Sequence, residues 1–96
     1  MMRVNIKSNF IVPGLENQEG IDLERSTITL RELLDELSER GPNRVEYVRS
    51  GARTINPDEW KISINDIPYH QWRDGLETSL KDGDTVTIII VPLGGG

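Results

Sequence analysis

The sequence predicts an α+β fold, a mixed sheet of about four to five strands with one main helix packed on one face. Three observations carry this. Leu30, Leu33, Leu34 and Leu37 form a single leucine stripe at helical spacing. Alternating apolar runs stand near both ends of the chain, at Val4–Ile6 and at Thr85–Val91. The helical run lies between them, so one amphipathic helix has one sheet face to cover.

The elements follow in order. "RVNIKSNFI" alternates Val4, Ile6 and, less cleanly, Phe10, which predicts a strand with one buried face. Pro13-Gly14 marks a turn. "GIDLER" alternates Ile21 and Leu23, a second strand that makes an N-terminal hairpin with a long polar loop. The leucine stripe predicts a helix over Leu30–Arg40. Thr29 is its N-cap, and Glu32 completes a capping box. Ile28 and Leu33 are placed for a hydrophobic staple, and Arg31 and Asp35 for an i,i+4 pair. Gly41 offers a left-handed C′ position and Pro42 prevents continuation.

"RVEYV" (Arg44 to Val48) is a third strand candidate, followed by a turn-rich loop. "KISINDIPY" reads as a short strand with a bend at Asn65-Asp66. "HQWRDGLETSLKDGD" is irregular, with Leu76 and Leu80 expected to plug the core. "TVTIIIV" is the last strand. If the first and last strands lie side by side and parallel, the helix belongs to the crossover between them. That arrangement is the β-grasp, or ubiquitin-like, fold, one of several α+β options for this pattern. Residues 1–91 are expected to form a single domain and 92–96 a flexible glycine-rich tail.

Composition sets the function classes aside one by one. The chain has 96 residues, 35% apolar and 28% charged, consistent with one small, heavily solvated core. Without cysteine there is no disulfide, thiolate metal site or cysteine nucleophile. The N-terminal stretch has no long apolar segment, so neither a signal peptide nor a membrane anchor is expected, and a cytoplasmic location is the default. A net charge of −5 argues against nucleic acid and favours a partner with a basic docking surface.

Side chains that suggest chemistry have plainer readings. His70 stands without a second histidine or a cysteine, which suits a loop residue better than a ligand. "KDGD" (Lys81 to Asp84) runs straight into a strand and lacks the closing glutamate of a calcium loop, so a tight turn is expected. Glu32, Asp35, Glu36 and Glu39 read as a solvated helix face. No serine sits in a nucleophile elbow, and no glycine-rich phosphate loop precedes the helix. Trp60 and Trp72 flank loops, where packing explains them.

The tail "PLGGG" has two readings. It is either a frayed end or a functional thread. Pro92 cannot donate to a ladder and stops the strand. Residues without Cβ fit a channel too narrow for others, and leave a terminal carboxylate sterically open. Val86, Ile88 and Ile90 share one face of the last strand; Ile89 and Val91 share the other. With one helix covering one face, Ile89 and Val91, with Leu93 beyond, are either a docking surface or are buried by the long loops.

The sequence resembles the ThiS/MoaD family of ubiquitin-like sulfur carriers. The resemblance is strongest in "GLETSLKDGDTVTIIIVPLGGG", good in "TLRELLDEL" and "ISINDIPY", and weak over Asn9–Arg25 and Arg44–Trp60. It implies a carrier, not an enzyme, activated by an E1-like adenylyltransferase of the ThiF/MoeB type with ATP and magnesium. Gly96 would bear the acyl-adenylate and then, after attack by a sulfur donor protein, the thiocarboxylate. Gly94 and Gly95 would supply the thread, and Pro92, Leu93, Val91 and Ile89 the contact with partners. A sulfur-accepting synthase, of the molybdopterin or thiamin type, would receive the sulfur, with the chain counted in the former case as the small subunit. No cofactor or metal would be bound by the chain itself. The alternatives are a protein modifier conjugated through the same glycine, and a β-grasp interaction domain with an inert tail.

Overall fold

The computed structural model describes residues 1–16, 18–41 and 45–91. The tail expected at 92–96 lies outside them. Strand β1 (Met2–Ser8) pairs antiparallel with β2 (Gly20–Leu23), setting Val4 opposite Ile21 and Met2 opposite Leu23. All four side chains are buried, so the alternation in sequence becomes one apolar sheet face. A two-residue strand, β3 (Ile28–Thr29), leads directly into helix α1 (Leu30–Arg40).

The helix begins where its cap residues dictate. Thr29 is extended, its hydroxyl accepts from the Glu32 N–H, and the Glu32 carboxylate accepts from the Thr29 N–H. The Leu30 N–H donates to the Thr78 carbonyl at 3.0 Å, tying the first turn to the opposite loop. Leu30, Leu33, Leu34 and Leu37 are buried in the same cluster as the sheet residues. Full burial of each stabilises by about 1.5–3 kcal/mol.

Two expectations about the helix are corrected. Gly41 is not left-handed: its φ of −86° and ψ of 169° are extended. Glycine is needed there because a Cβ would stand 2.5 Å from the Pro13 Cβ. The Pro13-Gly14 turn packs against the helix end, and Gly14, at φ +88°, would bring its own Cβ 2.5 Å from that of Arg40. Arg31 does not pair with Asp35. Its guanidinium reaches off the helix to Glu77 at 3.1 Å and to the Ala52 carbonyl.

The third strand candidate is also corrected. Arg44 lies outside the described residues, and Val45–Val48 form no strand. Tyr47 and Val48 are both buried. Consecutive burial is incompatible with the in–out alternation of a strand on a one-sided sheet; the segment plugs the core as a loop. Ile55 does the same, held by its N–H donating to the Tyr69 hydroxyl at 2.7 Å.

The "strand with a bend" is a hairpin. Strand β4 (Trp60–Ile64) turns at Asn65-Asp66, both at positive φ, into β5 (Ile67–Pro68). Such a turn matches strand twist, and Pro68 is tolerated because β5 is the sheet edge. Two 3₁₀ turns, Tyr69–Gln71 and Gly75–Glu77, carry the chain back. Leu76 and Leu80 fill the core as expected. Strand β6 (Ser79–Leu80) pairs with β3 as a separate short ladder. Finally β7 (Thr85–Ile90) inserts between β1 and β4, parallel to the first and antiparallel to the second. The sheet order is β2-β1-β7-β4-β5.

Candidate functional site

The site of interest is the strand that delivers the chain to Pro92, and the structure holds that strand at both ends. At its start the two aspartates of "KDGD" act as turn acceptors. Asp82 takes the Arg3 N–H at 2.7 Å, and Asp84 takes the Lys81 N–H at 2.8 Å and the Asn65 amide at 3.1 Å. Asn65 in turn accepts from the Thr85 N–H at 2.9 Å. Both carboxylates are thus bound to main chain or amide, the tight turn that the sequence suggested. Among the described residues no three His, Asp or Glu side chains converge as a metal site.

At its end, β7 is held by the Asn9 side chain and the Glu59 main chain, neither of which the sequence pattern singled out. β1 leaves the sheet after Ser8, opposite Ile88, so Phe10 is not a strand residue. The Asn9 side chain takes over: its Oδ1 accepts the Ile90 N–H at 2.8 Å and its Nδ2 donates to the Ile90 carbonyl at 3.2 Å. On the other side Trp60 stands opposite Ile90, and the Val91 N–H donates to the Glu59 carbonyl at 2.9 Å. Trp60 is packed between Phe10 and Tyr47, with ring centroids 5.6 and 4.9 Å away. A signal for Asn9 was present: an amide standing where strand alternation lapses. The aromatic cluster joins residues 10, 47 and 60, a long-range contact with no local signature.

The faces of β7 divide much as alternation requires. Val86 and Ile88 are fully buried under the helix. Ile90, expected to share that cover, is 42% exposed; its partner across the ladder is the half-buried Trp60 rather than one of the buried β4 isoleucines. Ile89 faces the side away from the helix, half-buried, opposite Lys61. Its neighbours along that side of the strand, Thr85 and Thr87, are polar, so Ile89 and Val91 bring the apolar surface to its exit. Val91 is half-buried. This face is partly covered, with the Thr87 hydroxyl buried. Pro92, Leu93, Gly94, Gly95 and Gly96 lie outside the described residues.

The remaining suspects are accounted for locally. His70 is exposed and meets the Tyr69 ring edge-on at 5.6 Å. Trp72 packs on the core and donates to the Ile67 carbonyl. On the acidic helix face Glu32 is paired with Arg25 at 3.0 Å and Glu36 with Arg40 at 3.5 Å. The Thr29 backbone N–H, then Arg25, hold the Glu32 carboxyl below its ordinary range. Burial pushes the Tyr47 phenol up, and among the described residues its hydroxyl has no hydrogen-bond partner. A cavity of about 600 Å³ opens between Arg31, Arg53, His70, Arg73 and Glu77, but no β7 residue lines it.

A five-stranded mixed sheet with its first and last strands parallel at the centre, and one helix laid across one face, is the β-grasp fold of ubiquitin-like proteins. The sequence matches the ThiS family over residues 13–96, and the chain belongs to that family. Its members are small ubiquitin-like sulfur carriers rather than enzymes, and generally work with E1-like enzymes. The chain is also similar to the solution structure of the Haloferax volcanii HVO 2177 protein. The two are 21% identical over 98% of this chain and 87% of that one, with a TM-score of 0.56, a likeness of fold. No curated protein matches the sequence. No helix among the described residues is long and apolar enough to cross a membrane.

Proposed function

We propose that the chain carries sulfur on the carboxyl group of Gly96. An E1-like enzyme, using ATP and magnesium, converts that carboxylate to an acyl-adenylate and releases pyrophosphate. The chemical need is plain: a carboxylate at neutral pH is unreactive toward nucleophiles, and AMP is a far better leaving group than oxide. A cysteine persulfide on a donor protein then attacks the acyl carbon and displaces AMP. A second thiol cleaves the resulting acyl disulfide at the donor sulfur, forming a disulfide with the donor cysteine. The thiocarboxylate so released is handed to a synthase in cofactor biosynthesis, of the molybdopterin or thiamin type. The reactions take place in the cytoplasm.

The observation that carries this reading is the family match running through Gly96. A main chain fixed as far as Val91 supports it. Catalytic groups then belong to the partners, and this chain contributes a placed carboxylate. Gly94 and Gly95 let the thread enter a narrow channel. Ile89 and Val91, with Pro92 and Leu93, form the handle that partners grip. Deleting Gly96, or adding one residue after it, is expected to abolish ATP-dependent pyrophosphate release by the activating enzyme while the folded spectrum and melting temperature stay unchanged. Full activity in either variant would remove Gly96 from the mechanism.

A further inference from the structure

We propose that Asn9 is a positioning residue: its carboxamide completes the sheet around Ile90 and so fixes the root from which the last residues are presented. The inference rests on the assignment of Gly96 as the activated residue. The geometry comes first. In the ladder Ile90 is opposite Trp60, yet the next bond to that side is made by the Val91 N–H to Glu59. The N–H and C=O of Ile90 therefore point the other way, toward β1. β1's last paired residue is Ser8, opposite Ile88, so no β1 main chain is available to meet them. A carboxamide has the same donor and acceptor as a peptide group. Asn9 supplies both, at 2.8 and 3.2 Å, and stands in for the missing strand.

The consequence is a fixed reach. With Ile90 held on one side and Val91 on the other, five residues of sequence separate the held Val91 from the Gly96 carboxyl. Extended, five residues span at most about 16–18 Å. Without the carboxamide Ile90 loses both bonds on the β1 side. Residues at the root then gain freedom that must be given up again when the tail enters a partner, and ordering about one residue weakens binding by about tenfold. Asn9→Asp keeps the acceptor and loses the donor, and so serves as a half-clamp.

The test measures pyrophosphate release by an E1-like adenylating enzyme as a function of carrier concentration. It also measures backbone amide exchange at Ile90 by NMR. For Asn9→Ala the KM for carrier is expected to rise about threefold to tenfold with kcat unchanged. Ile90 exchange should accelerate while core amides such as Val86 keep their protection. Asn9→Asp should fall between. A purely structural role would instead lower the melting temperature and speed exchange throughout. An unchanged KM in Asn9→Ala, with the unaltered chain active, overturns the positioning role alone. Unchanged Ile90 exchange overturns the clamp. If the unaltered chain releases no pyrophosphate with an enzyme that activates another carrier, the Gly96 assignment falls and the positioning role with it.

Discussion

Replacing Thr29 by alanine separates the stability of the fold from the chemistry it presents. The Thr29 hydroxyl accepts the Glu32 N–H at 3.2 Å, one half of the capping box. The other half, Thr29 N–H to the Glu32 carboxylate at 3.0 Å, uses main chain and survives the substitution. So does the bond from Leu30 N–H to the Thr78 carbonyl, which keeps the first turn from fraying further. The loss is therefore that of one N-cap, about 1 kcal/mol. For 96 residues the unfolding entropy near the midpoint is about 0.2 kcal/mol/K, so the melting temperature should drop by about 5 °C. Thr29→Ser keeps the hydroxyl and should recover most of that. Differential scanning calorimetry reads both. Pyrophosphate release at 25 °C should be unchanged in both, because the cap's hydrogen bonds go to Glu32 and Thr78 and none reaches β7. Equal melting temperatures for the alanine and serine variants would refute the cap as the source of stability. A loss of activation in either would refute the separation of fold from chemistry.

Three further outcomes follow from the same contacts. Gly14→Ala combines a positive φ with a Cβ 2.5 Å from that of Arg40; it should cost about 2–4 kcal/mol in urea denaturation. The Tyr47 phenol is raised above its ordinary 10.0 by burial, so the folded state holds that proton more tightly than the unfolded one. Its contribution is complete below pH 10 and lost as pH rises beyond it, and Tyr47→Phe should remove this part of the alkaline destabilisation seen in pH-dependent melting. The Glu32 carboxyl is lowered from 4.5; its contribution is complete above that value and lost as pH falls through the folded value, and Glu32→Gln should flatten this acid limb.

The parts of the fold legible in sequence are those set by local periodicity and local hydrogen bonding. The helix bounds, the capping box, the alternation of β1 and β7 and the "KDGD" turn all depend on residues within a few positions of one another. The corrections share the opposite cause. Val45–Val48 has strand-like composition, but the space it fills is a gap in the core that only the assembled sheet defines. Gly41 is required by Pro13, Arg31 is drawn away by Glu77 and Ala52, and Ile90 is exposed beside Trp60 although its pattern matches buried Ile88. Each is decided by a residue distant in sequence. At the site, alternation placed Ile89 on the face away from the helix. The clamp by Asn9 was hidden because it joins positions 9 and 90 through a side chain acting as backbone.

The most direct test of the central claim is the intact mass of the purified chain after incubation with an E1-like enzyme, ATP, magnesium and a sulfur source. The expected result is a gain equal to one sulfur replacing one oxygen, confined on digestion to the peptide that contains Gly96. An unchanged mass, with an enzyme shown in parallel to convert another carrier, would contradict it.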